Sequence, residues 1–319
     1  MDVSVVVRAR EDEAGPSEIL GLASLADELG YAELWIGEGP TWDAFVLATG
    51  VGLVTRNSSL TVGPVPVSVR DPATISRGAA SVASVTGRRV GVALGTSSVR
   101  VVEKLHGRSR HRAVSDLRDS ARELRELIDA SPERRHPGDP DAAFLRHLGV
   151  PNGPLTVAAF GDRAIKVAAD FADRMLLDLV TPEQVQVLRS KLESAVGSAA
   201  RPRLAAWLPA TIEPSKEAVR QVLETIAGYL TVGGYREMFI EAGFGKAVAR
   251  AEAGAELDEL IEALPDSAPE TVGLVGEASD VRDRLDAYAA AGLDEVAIVP
   301  VTVGDPNGER TLRAVRALL

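Results

Sequence analysis

Ser59-Leu-Thr-Val-Gly-Pro-Val-Pro-Val-Ser-Val-Arg-Asp-Pro72 decides the fold. It opens as a buried strand at Leu60, Thr61 and Val62, then runs into Gly63-Pro64 and Pro66. Proline removes a ladder donor and fixes φ, so a strand carrying two of them is ending or bulging. Asp71 then offers an N-cap carboxylate, and Pro72 stands at the first position of a helical run that reaches Val85. A strand that stops, distorts and passes to a helix is the edge of a parallel α/β protein where ligands bind.

Working outward, apolar runs at 3–7, 32–36, 60–65, 89–94, 155–159, 174–179, 204–208 and 295–300 read as strands buried on both faces. Helical spacing lies between them. It starts at Pro16 and closes on Gly30, then recurs at 42–54, 72–85, 113–128, 162–171, 216–229, 278–290 and 310–318. Thr181-Pro182-Glu183 adds a helix start of its own, with Thr at N-cap and Pro at N1. Eight strand-then-helix units in 319 residues predict one (β/α)8 TIM barrel domain over the whole chain, with helical insertions. The insertions are expected near 130–153, rich in Pro, Gly and charge, and near 231–269. The alternative, a doubly wound Rossmann-type sheet, lacks a G-x-G-x-x-G after the first strand.

Composition narrows the partners. A net charge of −11 argues against nucleic acid and against an anionic membrane surface. No apolar run reaches the roughly 18 residues of a membrane span, and Met1-Asp2-Val3-Ser4 lacks a signal-peptide pattern, so a cytoplasmic location is expected. There is no cysteine, and the four histidines show no metal-binding spacing, so no metal is expected.

Several segments together carry a family resemblance. Glu28-Leu-Gly-Tyr-Ala-Glu-Leu-Trp-Ile-Gly-Glu38 is similar to the second-strand signature of the bacterial luciferase-like superfamily. Leu60-Thr-Val-Gly-Pro-Val-Pro66 with Arg70-Asp-Pro72 resembles its third strand and following turn. Thr86-Gly-Arg88 with Gly91-Val-Ala-Leu-Gly-Thr96 resembles its fourth-strand segment, and Phe160-Gly-Asp-Arg163 its phosphate loop. Order and spacing carry the match, and the branch most resembled is the coenzyme F420-dependent oxidoreductases. The resemblance implies a (β/α)8 barrel that moves hydride between a deazaflavin and a small-molecule substrate, and a homodimer.

The same resemblance assigns roles to residues. Gly63, Pro64 and Val65 would back the cofactor ring through a bulge with a cis peptide. Proline makes that bond cheap, about 0.5–1 kcal/mol against roughly 3–4 for other residues, and an ordinary trans proline at a strand end is the alternative. Glu38 ends the second strand where relatives carry an acid followed by His, and here Gly39 replaces the His. Glu38 is the candidate general base or ring partner, and Trp42 the candidate substrate wall. Gly95, Thr96, Ser97 and Ser98, with Ala159, Phe160 and Gly161, offer N–H groups and hydroxyls to a cofactor tail. Ser98 stands where the sugar-phosphate dehydrogenase branch carries a Glu.

Arg100, Lys104, Arg108, Arg110 and Arg112 form a basic run in an acidic chain. F420 ends in a phospholactyl-oligoglutamate tail that such a run would meet, whereas FMN ends in one phosphate. A solvated charged loop is the plain alternative. The expected function is therefore an F420-dependent oxidoreductase. The alternatives are an FMN-dependent monooxygenase of the same superfamily and a barrel that binds the ligand without turnover. The homodimer is expected to use small residues on two helices: Ala44 and Ala48, and Ala73, Ala79, Ala80 and Ala83.

Overall fold

The alternation of buried strand and amphipathic helix becomes a closed barrel. A computed structural model describes residues 1–7, 15–129, 149–197 and 200–319. The chain runs β1 (Asp2–Val7), α1 (Pro16–Glu28), β2 (Glu33–Ile36), α2 (Ala44–Val54), β3 (Ser59–Pro66), α3 (Pro72–Thr86) and β4 (Val90–Gly95). A π-helical turn (Arg100–Leu105) leads to α4 (Ala113–Asp129), β5 (Asn152–Ala158), α5 (Asp162–Phe171), β6 (Arg174–Asp178), α6 (Pro182–Val196) and β7 (Arg203–Ile212). There follow α7 (Lys216–Ala227), α8 (Tyr235–Phe239), α9 (Gly245–Glu252), α10 (Leu257–Ala263), α11 (Ala268–Val272), β8 (Leu274–Gly276), α12 (Ala278–Ala290), β9 (Glu295–Pro300) and α13 (Glu309–Leu318).

β1 to β7 pair in sequence, β7 pairs with β9, and β9 returns to β1, closing eight parallel strands. The eighth barrel strand is thus β9, as the sequence predicts. β8 is an additional three-residue strand, unforeseen, that pairs with residues 210–212 of β7.

Local signals behave as read. Asp71 accepts from the Thr74 N–H at 2.8 Å and Pro72 opens α3, so the helix starts where carboxylate and proline put it. Thr181 and Gln184 form a reciprocal capping box on α6. The helix expected from Trp42 starts instead at Ala44, because Asp43 caps it through the Phe45 and Val46 N–H groups. The insertion expected near 130–153 falls mostly on residues outside the described ones, and its last two residues already belong to β5. Among the described residues no helix is long and apolar enough to cross a membrane.

Strand alternation divides the interior from the helix layer. Val6, Trp35, Ala93, Leu176, Ala205 and Ala297 pack inside the barrel, while Val5, Leu34, Val62, Val92, Val157 and Ile298 pack under the helices. At the N-terminal end the interior is polar. Arg174 donates to Glu295 at 2.7 Å and to Glu33 at 2.8 and 3.0 Å, and its guanidinium lies 4.0 Å from the Trp35 ring. Ser4 and the Trp35 indole N–H also donate to Glu295. This floor is a buried ion triad. Removing Arg174 would leave two unpaired carboxylates, a loss of about 3–5 kcal/mol.

Candidate functional site

The opposite, C-terminal mouth is lined by small residues on one half. A Cβ added to Gly95 of β4 would lie 3.2 Å from Pro64 Cβ and 3.9 Å from Ala158 Cβ. At Gly63, with φ +118°, a Cβ would fall 2.3 Å from the Ala93 carbonyl oxygen, so only glycine fits. The Gly63-Pro64 peptide is cis, and the β3–β4 register shifts between Val62 and Val65. Across the mouth, Gly37 lets the Trp207 ring approach to 3.5 Å of where its Cβ would be. The result is a shelf of small residues, Gly37, Gly63-Pro64, Gly95 and Ala158, along the ends of β2 to β5, packed against the Trp207 ring at Gly37 and the Ala93 carbonyl at Gly63.

The side chains of two cofactor-site candidates, Val65 for the ring and Ala159 for the tail, point away from the mouth. Val65 and Ala159 are fully or nearly fully buried in the layer between strands and helices, so only their backbones reach the mouth. The bulge shifts the alternation at Val65, and Ala159 continues the outward series of Leu155 and Val157.

Glu38 is not a free carboxylate. Its Oε1 accepts from Arg70 Nε at 2.9 Å and Nη2 at 2.7 Å, and its Oε2 accepts from the Ala44 N–H at 3.1 Å. Arg70 Nη2 also donates to Asp43 at 2.7 Å, and its guanidinium stacks on Phe45 at 5.5 Å. Burial alone would raise the Asp43 pKa, but the Arg70 hydrogen bond and the Val46 and Phe45 N–H groups outweigh it and lower it. Glu38, Asp43 and Arg70 thereby fix the loop that carries half-buried Trp42 at the edge of the core. Glu38, expected as general base or ring partner, thus has both carboxylate oxygens engaged within this loop.

The loop after β4 is held in the same manner. Arg110 turns inward and donates to the Ser97 carbonyl at 2.7 Å and to Thr96 Oγ1 at 3.1 Å. It belongs to the loop rather than to a free tail-gripping run. Ser97 has φ +54°, and Ser98 Oγ accepts from the Val101 N–H at 3.2 Å. Arg108 and Arg112 stay exposed, Arg112 making only long contacts to Asp116 and Asp119 at 3.8 Å. Gly161 caps α5 without a side-chain hydrogen bond, which leaves the first N–H groups of that helix open to an anion.

Beside them, a cleft of about 300 Å³ opens between α4 and α5, lined by Ser115, Arg118, Arg163 and Lys166 among others. It lies on the barrel's flank. The mouth is located instead by the strand ends and the glycine shelf.

The other half of the mouth is aromatic and polar. Phe160 contacts Tyr235 at 4.7 Å between ring centroids, and Tyr235 contacts Tyr229 at 4.7 Å and Phe239 at 6.0 Å. The Tyr235 hydroxyl donates to Asp178 Oδ2 at 2.9 Å. The segment expected as a helical insertion therefore roofs the ends of β5 and β6, while Phe239 and Phe244 pack in its own core. Tyr235, Met238, Phe239 and Phe244 are residues that the sequence offers for a roof, whereas Asp178 is not among the sequence candidates. The only signal for Asp178 was its place as the last residue of a strand.

The profile of the luciferase-like monooxygenase family matches residues 1–295. The chain belongs to that family. It is an oxidoreductase of this class, and the (β/α)8 barrel is the one the resemblance implied. A curated relative, the 5,10-methylenetetrahydromethanopterin reductase of Archaeoglobus fulgidus, is 18% identical over 309 residues, 92% of this chain and 91% of that one. The coenzyme F420 dependent tetrahydromethanopterin reductase of Methanopyrus kandleri superposes with a TM-score of 0.79 at 16% identity, covering 100% of this chain and 99% of that one. The oxygenating constituent of 3,6-diketocamphane monooxygenase from Pseudomonas putida, solved with FMN, does so with a TM-score of 0.68 at 15% identity, covering 99% and 97%. At such identities the structures show a shared fold.

Proposed function

We propose that the barrel mouth binds a coenzyme F420-type deazaflavin and uses it to move hydride to or from a small organic substrate. The observation that supports this is the Gly63-Pro64 bulge at the end of β3, beside Gly95 and Ala158 at the C-terminal strand ends where barrel enzymes bind ligands. When bound, the deazaflavin supplies hydride chemistry, and the chain supplies orientation and dryness. Arg110 sets the Gly95–Ser98 loop, the open N-terminus of α5 faces the phosphate, and Trp42 and the Tyr235 roof limit access of water. Arg100, Lys104, Arg108 and Arg112 are exposed at the exit of this loop, where a polyanionic tail would leave the mouth. That surplus favours F420 over FMN, as does the reductase relative. FMN, as in the Pseudomonas putida enzyme, is the second reading.

The functional unit is a homodimer through α2 and α3. Of the alanines expected at that contact, Ala44, Ala48, Ala79 and Ala80 are buried in the protein, Ala83 is half-buried and Ala73 is exposed. The side chains that face outward are Val46, Leu53, Val54 and Val85, on helices of which α2 carries no charge at all.

The test is hydride transfer. Reduced F420 should be oxidised by the protein in the presence of an acceptor from a carbonyl panel, and reduced FMN should not support the same turnover. Oxygen-dependent turnover with FMN alone would make the monooxygenase reading the correct one.

A further inference from the structure

We propose that Tyr235 and Asp178 carry the proton that accompanies hydride transfer to or from a carbon that bears oxygen, as an alcohol in one direction and a carbonyl in the other. This rests on the hydride-transfer reading above. A hydride leaves carbon with both bonding electrons, so the proton of the same oxidation must go to another group. That group has to reach the substrate and exchange with water.

Among the described residues on the shelf side, nothing fits. Both oxygens of Glu38 are engaged by Arg70 and the Ala44 N–H, and Arg110 is a permanent cation tied to its loop. The other half of the mouth holds the pair that fits. Arg174 and Leu176 of β6 face the barrel interior, so by alternation Asp178, the last residue of the strand, does too, at the rim. It lies in register with Trp207, whose ring reaches across to Gly37. Asp178 is thus on the same level as the shelf and across from it.

Tyr235 comes down from the roof to meet it, its ring fixed among Phe160, Tyr229 and Phe239. Both residues are half-buried, so they are oriented yet open to proton exchange. Leu179, immediately after Asp178, has φ +52° with its side chain buried, an unfavourable conformation for a bulky residue that the roof core holds in place.

The step balances as follows. In oxidation the substrate C–H bond breaks and its electron pair leaves as hydride to the oxidised deazaflavin. The substrate O–H proton passes to the Tyr235 oxygen as the Tyr235 proton passes to the Asp178 carboxylate, and C=O forms. Asp178 then releases the proton to solvent. Carbonyl reduction runs the same steps backward.

The experiment uses full-length protein labelled with ¹³Cζ-tyrosine, which carries only four such groups. With oxidised F420 bound, a panel of secondary alcohols from 2-propanol to 1-phenylethanol is titrated against hydrocarbons of matching shape. The Tyr235 resonance, assigned with Tyr235→Phe, should move with at least one alcohol and with no hydrocarbon, and Asp178→Asn should shrink that shift. Turnover of the alcohol that moves it should fall about 100-fold or more in Tyr235→Phe, with F420 affinity within twofold of the parent. The solvent deuterium effect on the hydride-transfer step should change with it. F420 binding with a Tyr235 signal that no alcohol moves, or full turnover in both variants, would overturn the relay alone. Failure of the parent to bind F420 would instead strike the functional reading beneath it.

Discussion

Arg70 holds Glu38 through two donors on one oxygen, Nε at 2.9 Å and Nη2 at 2.7 Å. The side chains are 17% and 14% exposed, so solvent screens the pair only in part. Arg70→Met should cost about 1–3 kcal/mol in urea denaturation, because Glu38 and Asp43 then lose their shared cation at a partly buried site. Glu38→Gln should cost less, since its amide oxygen still accepts. A double-mutant cycle should show coupling of about 1 kcal/mol or more, and additive losses would mean that the contact does not form in solution.

How much of this was readable beforehand follows from distance along the chain. Asp71-Pro72 and Thr181-Pro182 announced their helices because capping needs only three or four residues. The strands announced themselves by apolar runs. Those same runs do not show which residues face inward, so the burial of the Val65 and Ala159 side chains under the helices is visible only in the fold. The pairs Arg174–Glu295 and Tyr235–Asp178 join residues 121 and 57 positions apart, and no local rule connects them. Arg110 looked like a free cation for a similar reason: only the folded loop shows it bonded to Ser97 and Thr96.

Acid should attack the α2–β3 connection at Asp27. Burial alone would raise its pKa, but the Ser58 hydroxyl and the N–H groups of Ser58, Arg56 and Asn57 outweigh it and bring it to about 2. A depressed folded pKa stabilises above the unfolded value, near 3.9, and that stability is lost as pH falls through the folded value. Asp27 should therefore contribute about 2–3 kcal/mol at neutral pH, declining between roughly pH 5 and pH 2. In Asp27→Asn that share of the pH dependence should vanish from urea midpoints taken across this window. An unchanged slope would contradict the assignment.

The two kinds of arginine after β4 should separate by experiment. Arg108 and Arg112 are exposed, so Arg108→Ser with Arg112→Ser should weaken F420 severalfold, each contact being worth about 0–1 kcal/mol. The difference should shrink as added salt shortens the Debye length from about 10 Å at 0.1 M to about 3 Å at 1 M. FMN affinity should stay the same. Arg110→Met should instead weaken both cofactors, with little salt dependence, because it loosens the Thr96–Ser97 loop. Equal effects of all three substitutions on both cofactors would contradict the division.

Val46 and Leu53 on α2 are 70% and 63% exposed, and Val85 on α3 is 60% exposed. Leu53→Asp should convert a dimer into a monomer in sedimentation velocity at micromolar concentration while leaving the barrel's far-UV dichroism unchanged. A parent that sediments as a monomer would refute the contact.

The central claim is that this mouth holds a deazaflavin, and equilibrium titration with F420 and FMN, each followed by fluorescence, tests it most directly. The prediction is saturable F420 binding at least tenfold tighter than FMN, a gap of about 1.4 kcal/mol, which narrows in the Arg108→Ser, Arg112→Ser protein. FMN binding as tight as or tighter than F420, or no saturable binding of either, would contradict it.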